Sequence, residues 1–75
     1  MSDRRPFDTL DNAIDKIVVI RLKDGPEIKG TLRSFDVHMN VVMEDAEELS
    51  GGKKKFNTVI VRGDNILLIS PEGGE

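Results

Sequence analysis

The sequence predicts a mainly β fold: one short N-terminal helix, then a strongly bent five-stranded antiparallel sheet of the SH3-like small-barrel kind, all within 75 residues. Three observations predict it. Apolar residues recur at helical spacing only near the start. From Ile17 onward they alternate or gather in short β-branched runs, each cut by Gly, Pro, Asp or Asn. Gly30 stands inside the second of these runs, where a glycine marks a sharp bend or a close backbone approach.

Taken in order, Phe7, Leu10, Ala13 and Ile14 lie on one face of a helix expected over about residues 5–15, with Pro6 in its first turn and acidic Asp8 behind it. The sheet is expected over 16–70. Its first strand, Ile17 to Lys23, sets Val18, Ile20 and Leu22 on one face, and Asp24-Gly25-Pro26 turns the chain. In the second strand, Glu27 to Phe35, the core face carries Ile28, Gly30, Leu32 and Ser34, and the other face carries Glu27, Lys29, Thr31 and Arg33. Asp36 to Asn40 breaks the alternation and Val41 to Ala46 resumes it as a third strand. After the Ser50-Gly51-Gly52-Lys53 turn, Lys55 to Arg62 is a fourth strand and Ile66 to Ile69 a fifth, divided by Gly63-Asp64-Asn65. Pro71 ends the sheet and 71–75 is a polar tail. One domain spans 1–75, without internal repeat.

A chain of this length buries only roughly 60% of the surface it exposes unfolded, so it needs a further source of stability. With no cysteine, disulfides and thiolate metal sites are excluded, which leaves oligomerisation. The fourth and fifth strands are apolar on both faces, and pairing the free edge of one copy with the other edge of the next gives a head-to-tail contact that closes into a ring. No apolar run approaches the roughly 20 residues of a membrane span, and Ser2, Asp3, Arg4 and Arg5 open the chain without a signal-like core, so a cytoplasmic protein is expected. Eleven basic against fourteen acidic residues give −3, so bulk charge does not draw nucleic acid, and any such site is local.

Two loops hold the chemistry. Asp36-Val37-His38-Met39-Asn40 and Arg62-Gly63-Asp64-Asn65 together supply two carboxylates, two amides, an imidazole and a guanidinium, a set suited to a flat polar ligand if the bent sheet brings them to one end. At these residues the sequence resembles the Sm and Sm-like family, whose first motif ends in Asp-x-His/aromatic-Met-Asn and whose second centres on Arg-Gly-Asp-Asn. The likeness runs through nearly the whole chain, from Pro6-Phe7-Asp8-Thr9-Leu10 and Leu22-Lys23-Asp24-Gly25 to Ile69-Ser70-Pro71, and its compact form is most similar to the archaeal members.

The resemblance implies a homo-oligomeric ring, usually of seven subunits, that binds uridine-rich single-stranded RNA around a central pore, as an RNA chaperone, in RNA processing or as a ribonucleoprotein core. RNA-processing proteins are the implied further partners. In the family pattern a base is sandwiched between His38 and Arg62, and the residues suit it: both groups are flat, and stacking contributes about 1–3 kcal/mol per base. Asn40 offers a carbonyl to the N3–H and an NH2 to the O4 of uracil, and mismatches cytosine. Gly63 is expected to present its backbone N–H to the ligand. Asp64 and Asp36 orient Arg62 and Asn40 or hold their loops, with Met39 and Asn65 in support. One Arg62 per subunit is expected to make the pore locally attractive to RNA. Arg4 and Arg5 with Phe35 form a candidate second contact, against which Phe35 packing beneath the helix competes.

Other readings are narrower. Met39 and Met43 are expected to pack in the core, and Lys53-Lys54-Lys55 to lie in a solvated loop. Arg62-Gly63-Asp64 also spells an adhesion tripeptide, which placement in a buried hairpin turn would rule against. No nucleophile stands beside a base, no second His supports a metal and no Gly-rich phosphate loop is present, so neither enzyme activity nor a cofactor is expected. The competing class is a small-barrel protein-interaction adaptor or assembly scaffold, in which both loop motifs are purely structural.

Overall fold

The structure, a computed structural model, describes residues 6–49, 52 and 54–71, with the side chains of Pro6 and Phe7 left aside. Helix α1 covers Pro6–Asn12. It stops short of the expected Asp15 because the chain tightens: the Ala13 and Ile14 amides donate three residues back, to the Leu10 and Asp11 carbonyls at 2.9 and 3.3 Å. Asp15 then takes a left-handed conformation, φ 69, and its N–H donates to the Leu32 carbonyl at 2.7 Å. That contact belongs to the sheet, and it turns the helix down onto the barrel with Leu10 and Ala13 buried.

Five strands follow, β1 (Ile17–Leu22), β2 (Glu27–Phe35), β3 (Val41–Glu48), β4 (Lys55–Val61) and β5 (Ile66–Pro71). All pairings are antiparallel and the order is β4-β3-β2-β1-β5. β3 outruns the expected Ala46, and Pro71 closes β5 rather than opening a tail. Val18, Ile20, Leu32, Val41 and Met43 are fully enclosed, with Ala46 and Val61 nearly so. Met39 and Phe35 pack partly against this core. Replacing Leu32 or Ile20 by Ala would cost about 2–5 kcal/mol.

Gly30 supplies the bend. A Cβ there would stand 2.9 Å from Ala46 Cα and 3.1 Å from the Met43 methyl, so β2 and β3 cross more closely than side chains allow. The register slips between Lys29 and Thr31, and again between Leu32 and Ser34. The second slip reverses the alternation: Ser34 is exposed and Phe35 turns toward the core, contrary to the period-two reading.

One expectation about connectivity fails. β4 and β5 do not form a hairpin; they are the two outer strands, and β5 pairs with β1. The link between them is a single 3₁₀ turn, Gly63–Asn65. Opposite edges joined by so short a link require the sheet to curl until its ends meet. Arg62-Gly63-Asp64 is therefore neither in a hairpin nor buried, since the Arg62 and Asp64 side chains are 79 and 69% exposed.

Candidate nucleic-acid interface

The curl brings the two polar loops together. Asp36 organises the first. Its Oδ1 accepts the backbone N–H of His38 at 2.9 Å and of Asn40 at 3.0 Å, and its Oδ2 accepts from the Asn40 side-chain amide at 3.1 Å. The Met39 amide donates to the Asp36 carbonyl at 2.9 Å, closing the turn. Hydrogen bonds from Asn40, with lesser help from the His38 amide and imidazole, hold the Asp36 carboxyl below the usual carboxylate range.

Met39 sits at φ 65, a left-handed conformation that residues with a Cβ seldom adopt. It turns the Met39 side chain inward against the core while Val37 and His38 stay exposed. Val37 is 76% exposed, an apolar side chain beside the imidazole that sequence reasoning left without a role. Its one signal was an aliphatic residue within a polar loop.

The second loop docks on the first through Gly63. Its N–H donates to Asn40 Oδ1 at 2.8 Å, and a Cβ there would collide with the His38 carbonyl oxygen and lie 2.8 Å from the Met39 carbonyl carbon. Only glycine permits this approach. Gly63 therefore does not offer its N–H to a ligand as expected; that donor is already committed to Asn40. Asn65 completes the loop with structural contacts, donating to the Arg62 carbonyl at 3.0 Å and accepting from the Lys23 amide at 2.8 Å.

These bonds settle which way the Asn40 amide faces. Its oxygen must face the Gly63 donor and its nitrogen the Asp36 carboxylate, since the flipped amide would oppose donor to donor and acceptor to acceptor. An amide oxygen can accept two hydrogen bonds and an amide nitrogen can donate two, so each keeps capacity for one more beyond these. Such an edge complements a group that presents a donor next to an acceptor, as uracil does at N3–H and O4. Cytosine presents the reverse.

His38 and Arg62 rise from adjacent backbone, since the His38 carbonyl touches Gly63. The Arg62 guanidinium donates to Asp64 Oδ2 at 3.1 Å. Asp64 thus faces Arg62 within its own loop, and Asp36 stands in the loop docked against it. Phe35 leads into the first loop but leans on the core. Arg4 and Arg5 lie outside the described residues, as does Lys53.

The chain matches the LSM domain over residues 8–71. It belongs to the Sm-like family. An Sm-like protein of Methanosarcina acetivorans is 48% identical over 69 residues, covering 89% of this chain and 96% of that one. One from Archaeoglobus fulgidus is 45% identical over 74 residues, 95% and 96% of the two chains. Among solved structures, a heptameric Sm protein of Pyrobaculum aerophilum aligns with TM-score 0.88 at 46% identity, over 97% of this chain and all of that one. The Pyrococcus abyssi Sm protein in complex with a uridine heptamer aligns with TM-score 0.86 at 43% identity, over 91% and 99%. The mainly β fold with its short helix is thus the Sm-like fold, and the Sm-like family is one of RNA-binding proteins. Among the described residues no helix is long and apolar enough to cross a membrane.

Proposed function

We propose that this chain acts as a single Sm-like domain that assembles head to tail into a homo-oligomeric ring, a heptamer as in the P. aerophilum relative, and binds uridine-rich single-stranded RNA at the two loops. The observation that carries the reading is the Asn40 amide, locked by Gly63 and Asp36 with the donor–acceptor polarity uracil needs. His38 and Arg62 stack on the two faces of the base, Asp64 steadies the guanidinium, and Met39 and Asn65 hold the loops. The uridine heptamer bound by the P. abyssi relative supports the ligand class. Exposed Ile60 on β4 and Leu67 and Leu68 on β5 support the assembly, because an apolar outer strand gains by pairing with its counterpart on the next copy.

The protein acts by holding RNA stoichiometrically rather than by turnover, in the cytoplasm, as a ribonucleoprotein core or chaperone alongside RNA-processing proteins. Native mass measurement with and without a heptamer of uridine tests this, with a cytidine heptamer as control. A ring that binds oligo(U) in preference to oligo(C) is expected. His38→Ala and Arg62→Ala should each weaken oligo(U) at least about tenfold, one lost stacking face per base, while the ring mass stays unchanged. Undiminished affinity in both variants would favour the adaptor reading instead.

A further inference from the structure

The two outer strands each keep one side unpaired within the chain, and the fold fixes their directions. β4 runs into the loop end and stops at Val61, and β5 leaves the same end from Ile66. Copies arranged about an axis at that end set an inbound β4 beside an outbound β5, so the two meet antiparallel. Pairings inside the chain then show which side chains share a face, because directly opposite residues lie on the same side of a sheet. Val59 lies opposite Met43 and Ile69 opposite Ile20. Met43 and Ile20 are fully enclosed, whereas Val59 and Ile69 pack only partly against the core. Thr58 and Ile60 lie opposite Glu44 and Val42, and Leu68 and Ser70 opposite Arg21 and Val19. None of these is buried, and together they form the outer face.

Resting on the ring proposed above, we infer that the next copy docks in one register, with Val59 opposite its Ile69, Ile60 opposite its Leu68 and Thr58 opposite its Ser70. Sliding the strands by one residue would set every inner side chain against an outer one. Sliding by two keeps the faces but mismatches the chemistry: one way sets Ile60 against Ser70, and the other sets Asn57 against Ile69 and Thr58 against Leu68. Only the register of Val59 on Ile69 pairs aliphatic with aliphatic and hydroxyl with hydroxyl. It also brings Pro71 of the next copy opposite Asn57, at a recess of about 310 Å³ lined by Asp45, Ala46, Glu47, Lys55, Phe56 and Asn57. Phe56, 37% exposed in the chain alone, gains an apolar neighbour there. Pro71 has no N–H to extend the ladder, so pairing between copies ends at this recess.

The chain has no cysteine, so introduced pairs report the register by disulfide formation. Directly opposite residues sit about 4.5–5.5 Å apart, within disulfide reach, and a slip of two residues adds about 7 Å along the strand and puts them beyond it. Thr58→Cys and Ser70→Cys proteins, each shown by native mass to keep the ring, are unfolded, refolded as a mixture and treated with a mild thiol oxidant. A product of twice the chain mass is expected on a non-reducing denaturing gel from the mixture and from neither variant alone. Asn57→Cys mixed with Pro71→Cys should link likewise, and Thr58→Cys mixed with Leu68→Cys should not. Preferential linkage of positions 58 and 68, or rings in which neither expected pair links, overturns the register. Linkage at 58 and 70 without linkage at 57 and 71 overturns the placing of Pro71 at the recess. A Thr58→Cys protein that links to itself overturns head-to-tail docking. Single-chain mass in the unaltered protein overturns the ring reading itself, whereas the wrong linkage within an intact ring leaves that reading standing.

Discussion

At the loop end of the sheet, Asp36 satisfies three N–H groups, Asn40 bridges to Gly63, and Arg62 closes on Asp64. Along the two outer strands the situation is reversed, with Ile60, Leu67 and Leu68 standing 68, 58 and 46% exposed and one side of each strand unmatched within the chain. The contrast separates two tasks. The hydrogen bonds of the two polar loops close within a single chain, so their geometry does not wait for assembly. The outer strands keep an unmatched side within the chain, and on the proposed function a neighbouring copy would complete them and repeat a ready-made site, from which affinity for a run of uridines would arise.

Gly63 is where the two regions meet, so Gly63→Ala breaks the comparison most severely. Its new Cβ has nowhere to go against His38 and Met39 backbone, and overpacking of this kind costs about 1–3 kcal/mol or more. Loss of oligo(U) binding together with a lowered melting temperature is expected. A variant that melts and binds like the parent would show that the loops need not touch.

Charging the outer strands alike, by Ile60→Glu with Leu67→Glu, should leave the chain folded but reduce its solution mass to that of a single chain. Oligo(U) affinity should then fall by about a hundredfold or more as avidity is lost, while each site remains intact. Light scattering and circular dichroism together check this. A stable ring in the double variant would place the assembly surface elsewhere.

A smaller effect is expected from Asp36→Ala, which removes the group that orients Asn40 without touching the stacking side chains. Oligo(U) should weaken about fivefold, the equivalent of one orienting hydrogen bond, with the preference over oligo(C) narrowing in step. Unchanged discrimination would mean that Asn40 is held well enough by Gly63 alone.

The smallest effect comes from pH. The Asp36 carboxyl titrates below its unfolded value of about 4, so its contribution to loop order is complete above that value and is lost only as pH falls through the lower, folded one. Amide exchange at His38 and Asn40 should be unaffected by this group between pH 8 and pH 5, beyond the intrinsic pH dependence of exchange, and the protection should collapse below roughly pH 4. Protection lost at a higher pH would assign the loop's order to another group.

Local chemistry made much of this molecule legible. Alternation of Val18, Ile20 and Leu22 and the Asp24-Gly25 turn located β1 and its return, and Gly30 announced the bend. The loop motifs named the residues that the fold gathers. What stayed hidden depended on contacts between distant residues. The helix end is set by Asp15 donating to Leu32, and the slip between Leu32 and Ser34 exchanges the roles of Ser34 and Phe35 through pairing with β3. No pattern of apolar residues reports either. The left-handed Met39 was equally invisible, because a methionine gives no sign of that conformation until the Asp36 hydrogen bonds impose it.

Residue type and spacing by themselves determined which segments are strands, where the chain turns and which two loops concentrate the polar side chains, because those properties depend on near neighbours. Only the tertiary structure decided that β5 pairs with β1, that the Gly63 amide is given to Asn40 and that the Arg62 guanidinium faces Asp64. The physical reason is reach: Asn40 and Gly63 are 23 positions apart, and only the curl of the sheet brings them within a hydrogen bond.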